Sequence, residues 1–314
     1  TQVLDFTPAI DHWKARGVDL TDVLRRVRTP VHVMAHCGDI KDQPFDETLE
    51  EQVRAQATPL FDERRPVRVD VILRNIHRTF GTRLSSELCE RFGEAGLPDD
   101  SLVLNCRGSA GQSFFAFGVK GMTAVVHGDA NDYFGKGLSG AKLVIRPPEG
   151  ATFAAEENVI IGNVAFYGAT GGEAYVRGIC GERFCVRNSG VRAVVEGTGD
   201  HACEYMTGGR VVILGPTGRN TAAGMSGGIL YVLDEADDFG RLRCNREMVD
   251  LDPVATDEDR DELQQMIQRH FDHTRSPVAR RVLDRWEAVL PRFVKVIPVD
   301  YKRALAGEAG PGKE

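Results

Sequence analysis

Short apolar runs recur at a fixed spacing between residues 118 and 235, and that recurrence constrains the fold more than any other feature of the chain. The runs at 122–128, 141–146, 191–197, 210–215 and 229–234 are each built from Val, Ile, Leu and Ala. Their starts lie 19 residues apart from 122 to 141, from 191 to 210 and from 210 to 229, and Val103 sits one more such step before Met122. The step from 141 to 191 breaks the period. A unit of about 20 residues cannot bury its own apolar face, so neighbours must stack and share one core. The fold expected is mainly β, a parallel β-helix in which each repeat is one coil.

The glycine content fits that architecture. The chain has 34 glycines in 314 residues, an excess over the usual share of about 7%. Paired glycines at 118 and 121, 137 and 140, 178 and 181, and 224 and 227 fall where coils should turn. Corners of this kind favour positive φ or close backbone approach.

Composition limits the partners. Thirty-nine basic against 46 acidic residues leave a net charge of −7, which argues against a nucleic-acid or anionic-membrane surface. No run of 18 apolar residues and no basic-then-apolar leader is present. Seven cysteines without a regular framework suit a reducing compartment, and the localisation expected is cytoplasmic. The chain begins at Thr1, as a segment of a longer protein would.

Around the repeat, four segments are expected. Residues 1–66 read as a linker with short helices at 9–15 and 21–27 and a better one over 45–58, kinked or ended by Pro59. The β-helix domain spans 67–245. It opens with an alternating strand at 67–71 and a helix over 84–92 stopped by Gly93, and the coils begin at Ser101. Apolar runs at 159–167, 173–177 and 182–186 read as additional strands of the coils that fill the period break. Residues 246–305 carry helices that should pack across the open end of the solenoid and protect its strand edge. Thr256 with Asp259, and Ser276 with Pro277, mark their starts. A last strand is expected at 293–297 and a disordered tail at 306–314.

Several motifs lose their usual meaning in this context. Gly135-Lys-Gly-Leu-Ser-Gly140 has the dinucleotide-binding spacing, and Gly224-Met-Ser-Gly-Gly228 has that of a nucleophile elbow. Each motif needs a helix after it, and each is followed here by a β-prone run. Asp200, His201, Cys203 and Glu204 gather acid–base and nucleophilic groups, and Asp129 with Asp132 offers two carboxylates. A hydrogen-bonded corner or domain contact accounts better for the first group, and ordinary turn chemistry for the second. Cys180 and Cys185 lack the further ligands that zinc or an iron–sulfur cluster would need.

Longer strings carry a resemblance. Gly108-Ser-Ala-Gly-Gln-Ser113, the run 128–140, Arg187-Asn-Ser-Gly190, Gly199-Asp-His201, Cys203-Glu-Tyr-Met-Thr-Gly-Gly209 and Ala223-Gly-Met-Ser-Gly-Gly228 closely resemble the C-terminal domain of the glutamate synthase large subunit, from about Val67 to Asn245. The resemblance implies a right-handed β-helix. It also implies, elsewhere in the same subunit, an amidotransferase domain with a cysteine nucleophile and a synthase domain with FMN and a 3Fe-4S cluster. A flavoprotein small subunit is a further implied partner.

No catalytic, cofactor or metal residue of that family maps onto this segment. The chain starts with Thr1 rather than the nucleophilic cysteine, and it has no FMN barrel. Its one cysteine pair at cluster spacing, Cys180 and Cys185, has Ala174 at the remaining ligand position. What the resemblance implies is a structural domain that holds the two reaction centres for ammonia channelling, with Asp129, Asn131, Asp132, Asp200, His201 and Glu204 facing the neighbouring domains. Two other functions fit a β-helix: a free-standing interaction subunit related to that of formylmethanofuran dehydrogenase, and a carbohydrate-active enzyme using Asp129 and Asp132.

Overall fold

The computed structural model describes Arg25 and residues 48–307. The helices expected at 9–15 and 21–27 (Arg25 apart) and the tail over 308–314 lie outside the described residues. The helix expected over 45–58 is present from Leu49, and a second, holding Pro59, follows it. Thr48 caps α1 (Leu49–Gln56), its hydroxyl accepting the Glu51 N–H at 3.3 Å. Pro59 then sits in the first turn of α2 (Thr58–Glu63), where its missing N–H is harmless.

The body is a stack of coils. Its strands are β1 (Val67–Leu73), β2 (Leu102–Ala110), β3 (Met122–Ala130), β4 (Ser139–Arg146), β5 (Val159–Ile161), β6 (Gly171–Cys180), β7 (Ser189–Thr198), β8 (Thr207–Ile213) and β9 (Gly227–Leu233). All but the short β5 pair in parallel in chain order, which is the β-solenoid expected from the repeat. The register gives each coil's length. Leu102 faces Met122, Thr123 faces Lys142, Glu173 faces Arg192, Arg192 faces Arg210 and Arg210 faces Ile229, steps of 18 to 20 residues. The uniform step of 19 is thus an average, because strand registers shift by a residue at irregularities near Ser189 and Thr207.

Two coils are longer. Val67 faces Leu102, a step of 35, because that coil carries α3 (Thr82–Phe92). The solenoid therefore starts at Val67, one coil before its repeat becomes visible. Lys142 faces Glu173, a step of 31, and the excess over 19 is an excursion at 147–158. This excursion is what broke the period. Residues 173–177 are accordingly a rung of their own within β6, and 182–186 form turns rather than a strand.

Opposite the sheet, each coil returns through a segment of alternating handedness. Ser113, Phe115 and Phe117 have positive φ with the intervening residues negative, and the pattern recurs at Tyr133, Gly135 and Gly137 and at His201, Cys203 and Tyr205. Their N–H groups point alternately forward and back along the stack. Ser113 donates to the Asp132 carbonyl at 2.9 Å, Phe115 to Phe80 at 2.7 Å and Phe117 to Lys136 at 2.8 Å. Adjacent coils are thereby hydrogen-bonded without any strand. The paired glycines do take positive φ at Gly121, Gly137, Gly140, Gly178 and Gly224, but the return also places side-chain-bearing residues in that region. Inter-coil bonds and core packing offset the left-handed cost of about 1–2 kcal/mol per side-chain-bearing residue.

Side chains from both walls meet in one continuous core. Phe80, Phe114 and Phe134 stack with centroids 5.8 and 5.4 Å apart, and Phe134, Phe166 and Phe184 continue edge-on at 5.6 and 5.7 Å. Gly135 is required here. Its φ is +63°, and a Cβ would lie 2.6 Å from the Phe166 ring.

A second apolar layer covers the outer face of the sheet. Val144, Tyr175, Val194, Val212 and Tyr231 form one outward column across successive strands. They pack against Leu263, Met266 and Ile267 of α4 (Asp257–Thr274) and Val278 and Val282 of α5 (Pro277–Asp284). Both helix starts read from sequence are present: the Thr256 hydroxyl accepts the Asp259 N–H at 3.1 Å, and Ser276 accepts that of Ala279 at 2.9 Å. The helices do not cross the open end. They lie on the flank because the apolar column is there, and polar ties fix them at its border. Glu262 of α4 accepts from Arg192 and Arg210 at 3.0 and 2.8 Å, and Asp259 accepts from the Tyr231 hydroxyl at 2.9 Å. The edge of β9 is covered instead by the expected last strand, β11 (Phe293–Pro298), which pairs antiparallel with it and with β10 (Val249–Pro253).

Candidate functional site

The residues singled out from sequence fall at several places on the coil surface. Asp132 and Asp200 occupy equivalent positions in different coils and do the same work. Asp132 Oδ1 accepts the Asn163 N–H at 2.7 Å, and Asp200 Oδ1 accepts that of Arg219 at 2.6 Å. Each carboxylate ties its coil to the next. Asn131, beside Asp132, is exposed. Asp129 is exposed at the end of β3 and accepts the Ser109 hydroxyl at 3.2 Å.

His201 and Glu204 do meet. The positive φ of His201 turns its ring so that Nδ1 lies 2.7 Å from Glu204 Oε1. Asn220, one coil further on, donates to the same Glu204 oxygen at 2.9 Å, and Asn245 donates to Asn220 Oδ1 at 2.9 Å. Glu204 is largely sheltered, while a third of the His201 side chain is open. Next to them Tyr205 is 57% exposed, its ring lying over Gly224, where a Cβ would come within 2.6 Å of it. The Arg187 guanidinium sits 5.9 Å from that ring's centre. This patch can bind a partner through aromatic, cationic and carboxylate groups. Asp200 faces its own coil junction, and Cys203 is buried, so neither completes a catalytic set with His201.

Asn220, Tyr205 and Arg187 were not singled out from sequence. The 19-residue offset from His201 to Asn220 was the available signal, obscured because this wall carries no apolar run. Asp129 and Asp132 have different partners, with Asp132 committed to the next coil, so they do not form a paired acid and nucleophile. The glycine-rich motifs also behave as their surroundings required: β4 follows Gly135–Gly137, and β9 follows Ser226.

The buried cysteines among the described residues do not fit a metal cluster. Cys180, Cys185 and Cys203 are wholly buried in the apolar core, and burial pushes all three thiols up, away from the thiolate that metals bind. Cys106 and Cys244 are likewise raised by burial, each to about 12. No group of three His, Cys, Asp or Glu side chains among the described residues has metal-holding geometry. Among those residues, too, no helix is long and apolar enough to cross a membrane.

Known proteins give this surface its context. The chain is 47% identical over 298 residues to the glutamate synthase [NADPH] large chain of Bacillus subtilis, covering 95% of this chain and 19% of that protein. It is 52% identical over 266 residues to glutamate synthase [NADH] of Schizosaccharomyces pombe, covering 85% of this chain and 13% of that one. Ferredoxin-dependent glutamate synthase 2 of Synechocystis is 47% identical over 228 residues, 73% of this chain and 14% of its own length. The chain thus spans less than a fifth of each of these relatives. Residues 47–299 match the family model described as GXGXG motif, and the chain belongs to that family.

Proposed function

We propose that this segment is the non-catalytic β-helix of a glutamate synthase. In that reading it holds a glutamine amidotransferase domain and a synthase domain, the latter carrying FMN and a 3Fe-4S cluster, at a fixed separation. Ammonia released from glutamine can then reach 2-oxoglutarate to form glutamate. The observation that carries the reading is the similarity, over nearly the whole chain, to glutamate synthase large chains. The architecture supports it, since coils bonded on both walls around one core resist bending and suit a spacer. The partners are the two domains of the same subunit, with a flavoprotein small subunit beyond them. The setting is the cytoplasm, where buried thiols such as Cys180 stay reduced.

The surface that meets the neighbouring domains includes Asp129, Asn131, Asp132, Asp200, His201 and Glu204, with Tyr205 as its aromatic anchor. Exposed aromatic and charged groups held by a stiff backbone make such contacts specific. The test uses the full-length subunit with His201→Ala and Tyr205→Ala together. Glutamine-dependent glutamate formation should fall on the order of tenfold, because small misplacements of reacting centres are costly. Ammonia-dependent formation should be unchanged. A double variant that keeps the ratio of the two rates would sink the assignment.

A further inference from the structure

Among the described residues, the helices cover only part of the outer face of the sheet, and a basic column crosses the rest. Arg107 faces His127 and His127 faces Arg146 across β2, β3 and β4. The Ile145–Val176 pairing makes Arg177 the next residue in that column. Successive strands are about 4.8 Å apart, so these side chains stand in a row on one face. Beyond Arg177 the column changes sign and is buried. Glu196 is 1% exposed beneath the junction of α4 and α5, where it accepts the Ser276 hydroxyl rather than a guanidinium.

None of Arg107, Arg146 and Arg177 makes an ion pair among the described residues, and the Arg177 Nε is buried with no hydrogen-bond partner. Among the described residues the hydrogen-bond partner of Arg146 is the His127 Nε2, at 3.4 Å, and Glu149 acts on it through charge alone. Like charges in adjacent strands repel, and a buried donor left unsatisfied is costly. The effect shows on the groups themselves. His127 is held below the ordinary histidine range by burial and then by Arg146, with Arg107 adding to it against Glu149. Arg146 is likewise depressed by burial, and further by Arg177 and Arg275 against the opposing pull of Glu149.

The row also lines open space. A groove of about 650 Å³ runs from Arg107 and His127 to the 147–158 excursion. A smaller one of about 170 Å³ continues between Arg146, Arg177 and residues 147–151 of the same excursion. Pro148, Glu149 and Phe153 wall both, and Asp129 stands on the rim of the larger one with the Ser109 hydroxyl as its partner, so three arginines face two carboxylates across the two grooves. Planar guanidinium forks are suited to oxyanions, which they bind in two-point fashion.

We propose that this groove binds a small oxyanion, a molecule bearing a phosphate or a carboxylate, held by Arg146 and Arg177 with Arg107 at its outer end. The inserted stretch 147–158, the one long departure from the regular coil after β2, forms the far wall of this site. Binding relieves the repulsion within the row and satisfies Arg177. It is independent of any contact made by His201 or Tyr205, which lie on the opposite wall of the coils.

The experiment titrates the intact chain with inorganic phosphate and, separately, with succinate, at an ionic strength held constant with sodium chloride. Binding is read by calorimetry and by the unfolding temperature. At least one of the two anions should bind and raise the unfolding temperature above that in chloride, and which one does so identifies the headgroup. Arg177→Gln and Arg146→Gln should each weaken binding at least about tenfold. Each should also unfold at a higher temperature than the parent when no anion is added. The exposed Arg241→Gln serves as the control and should change neither. Binding no stronger than chloride, or binding unaffected by the two arginine substitutions, overturns the proposal.

Discussion

The two walls of the coil share one core but finish their outer surfaces differently. On the sheet wall, the outward column from Val144 to Tyr231 is apolar, and two helices are laid over it. On the return wall, the outward positions hold Tyr133, Arg183, His201 and Tyr205, and no element among the described residues covers them. The difference follows from backbone geometry. A strand alternates faces strictly, so an apolar residue at every second position must be covered on both sides or left wet. The alternating-handed return makes its inter-coil bonds without committing its outer residues to any pattern. One wall is therefore available to anchor the chain to itself, and the other to present side chains to something else.

The core common to both walls should carry the largest effect. Phe134 lies between Phe114 and Phe166 and is 1% exposed. Phe134→Ala should cost about 4 kcal/mol, measured by denaturant unfolding, because the rigid coils cannot collapse into the cavity. A loss below about 1 kcal/mol would mean that the coils are softer than the stacked rings imply.

Next comes the tie that fixes helices and end strand to the sheet wall. Lys295 of β11 reaches Asp259 of α4 at 2.6 Å, and both side chains are nearly buried. Lys295→Met strands that carboxylate and should cost about 3 kcal/mol at neutral pH. Burial raises the pKa of Asp259, but Lys295 and the Tyr231 and Thr256 partners outweigh it and hold the group below its ordinary 3.8. Its stabilising effect is therefore complete above that value and is lost as the pH falls through the lower folded value. In Lys295→Met burial is no longer outweighed by that ammonium, the folded value rises towards or past the unfolded one, and the acid-dependent loss should shrink. Unfolding midpoints for both proteins across pH 2–6 would decide it, and coincident acid limbs would show that Lys295 does not set this group.

How far the sequence disclosed the molecule follows the same division between walls. The sheet wall was readable because its runs are apolar and evenly spaced, as from Met122 to Ala141 and from Arg210 to Ile229. It was misread where a coil carried extra chain. The helix at 82–92 hid the first coil, and the excursion at 147–158 broke the count. The C-terminal helices were legible from Thr256 and Ser276, but their resting place was not, because the column that receives them is assembled from several coils. The return wall was nearly silent. Its left-handed residues include Phe, Tyr, Cys, Arg and His, types with no common signature, so the meeting of His201 with Asn220 was invisible.

On the return wall the coil-to-coil caps should show smaller effects than the core or the sheet-wall tie. Asp132→Ala removes the acceptor for the Asn163 N–H and should cost about 1 kcal/mol. Asp200→Ala should match it, since Asp200 serves Arg219 in the same way two coils further along from Asn163. Unequal costs would mean that the two positions are not equivalent.

The smallest effect separates structural carboxylates from those left for other uses. Asp129 is exposed, accepts one hydroxyl from Ser109 and supports no backbone group of another coil. Asp129→Ala should therefore change stability by less than about 0.5 kcal/mol, within the range of ordinary surface substitutions. Its neighbour three residues on should cost more than the uncertainty of the same unfolding measurement. If both substitutions cost the same, hydrogen bonding between coils is not what distinguishes them. The return wall would then owe its order to the core beneath it, as the sheet wall does, rather than to its own polar ties.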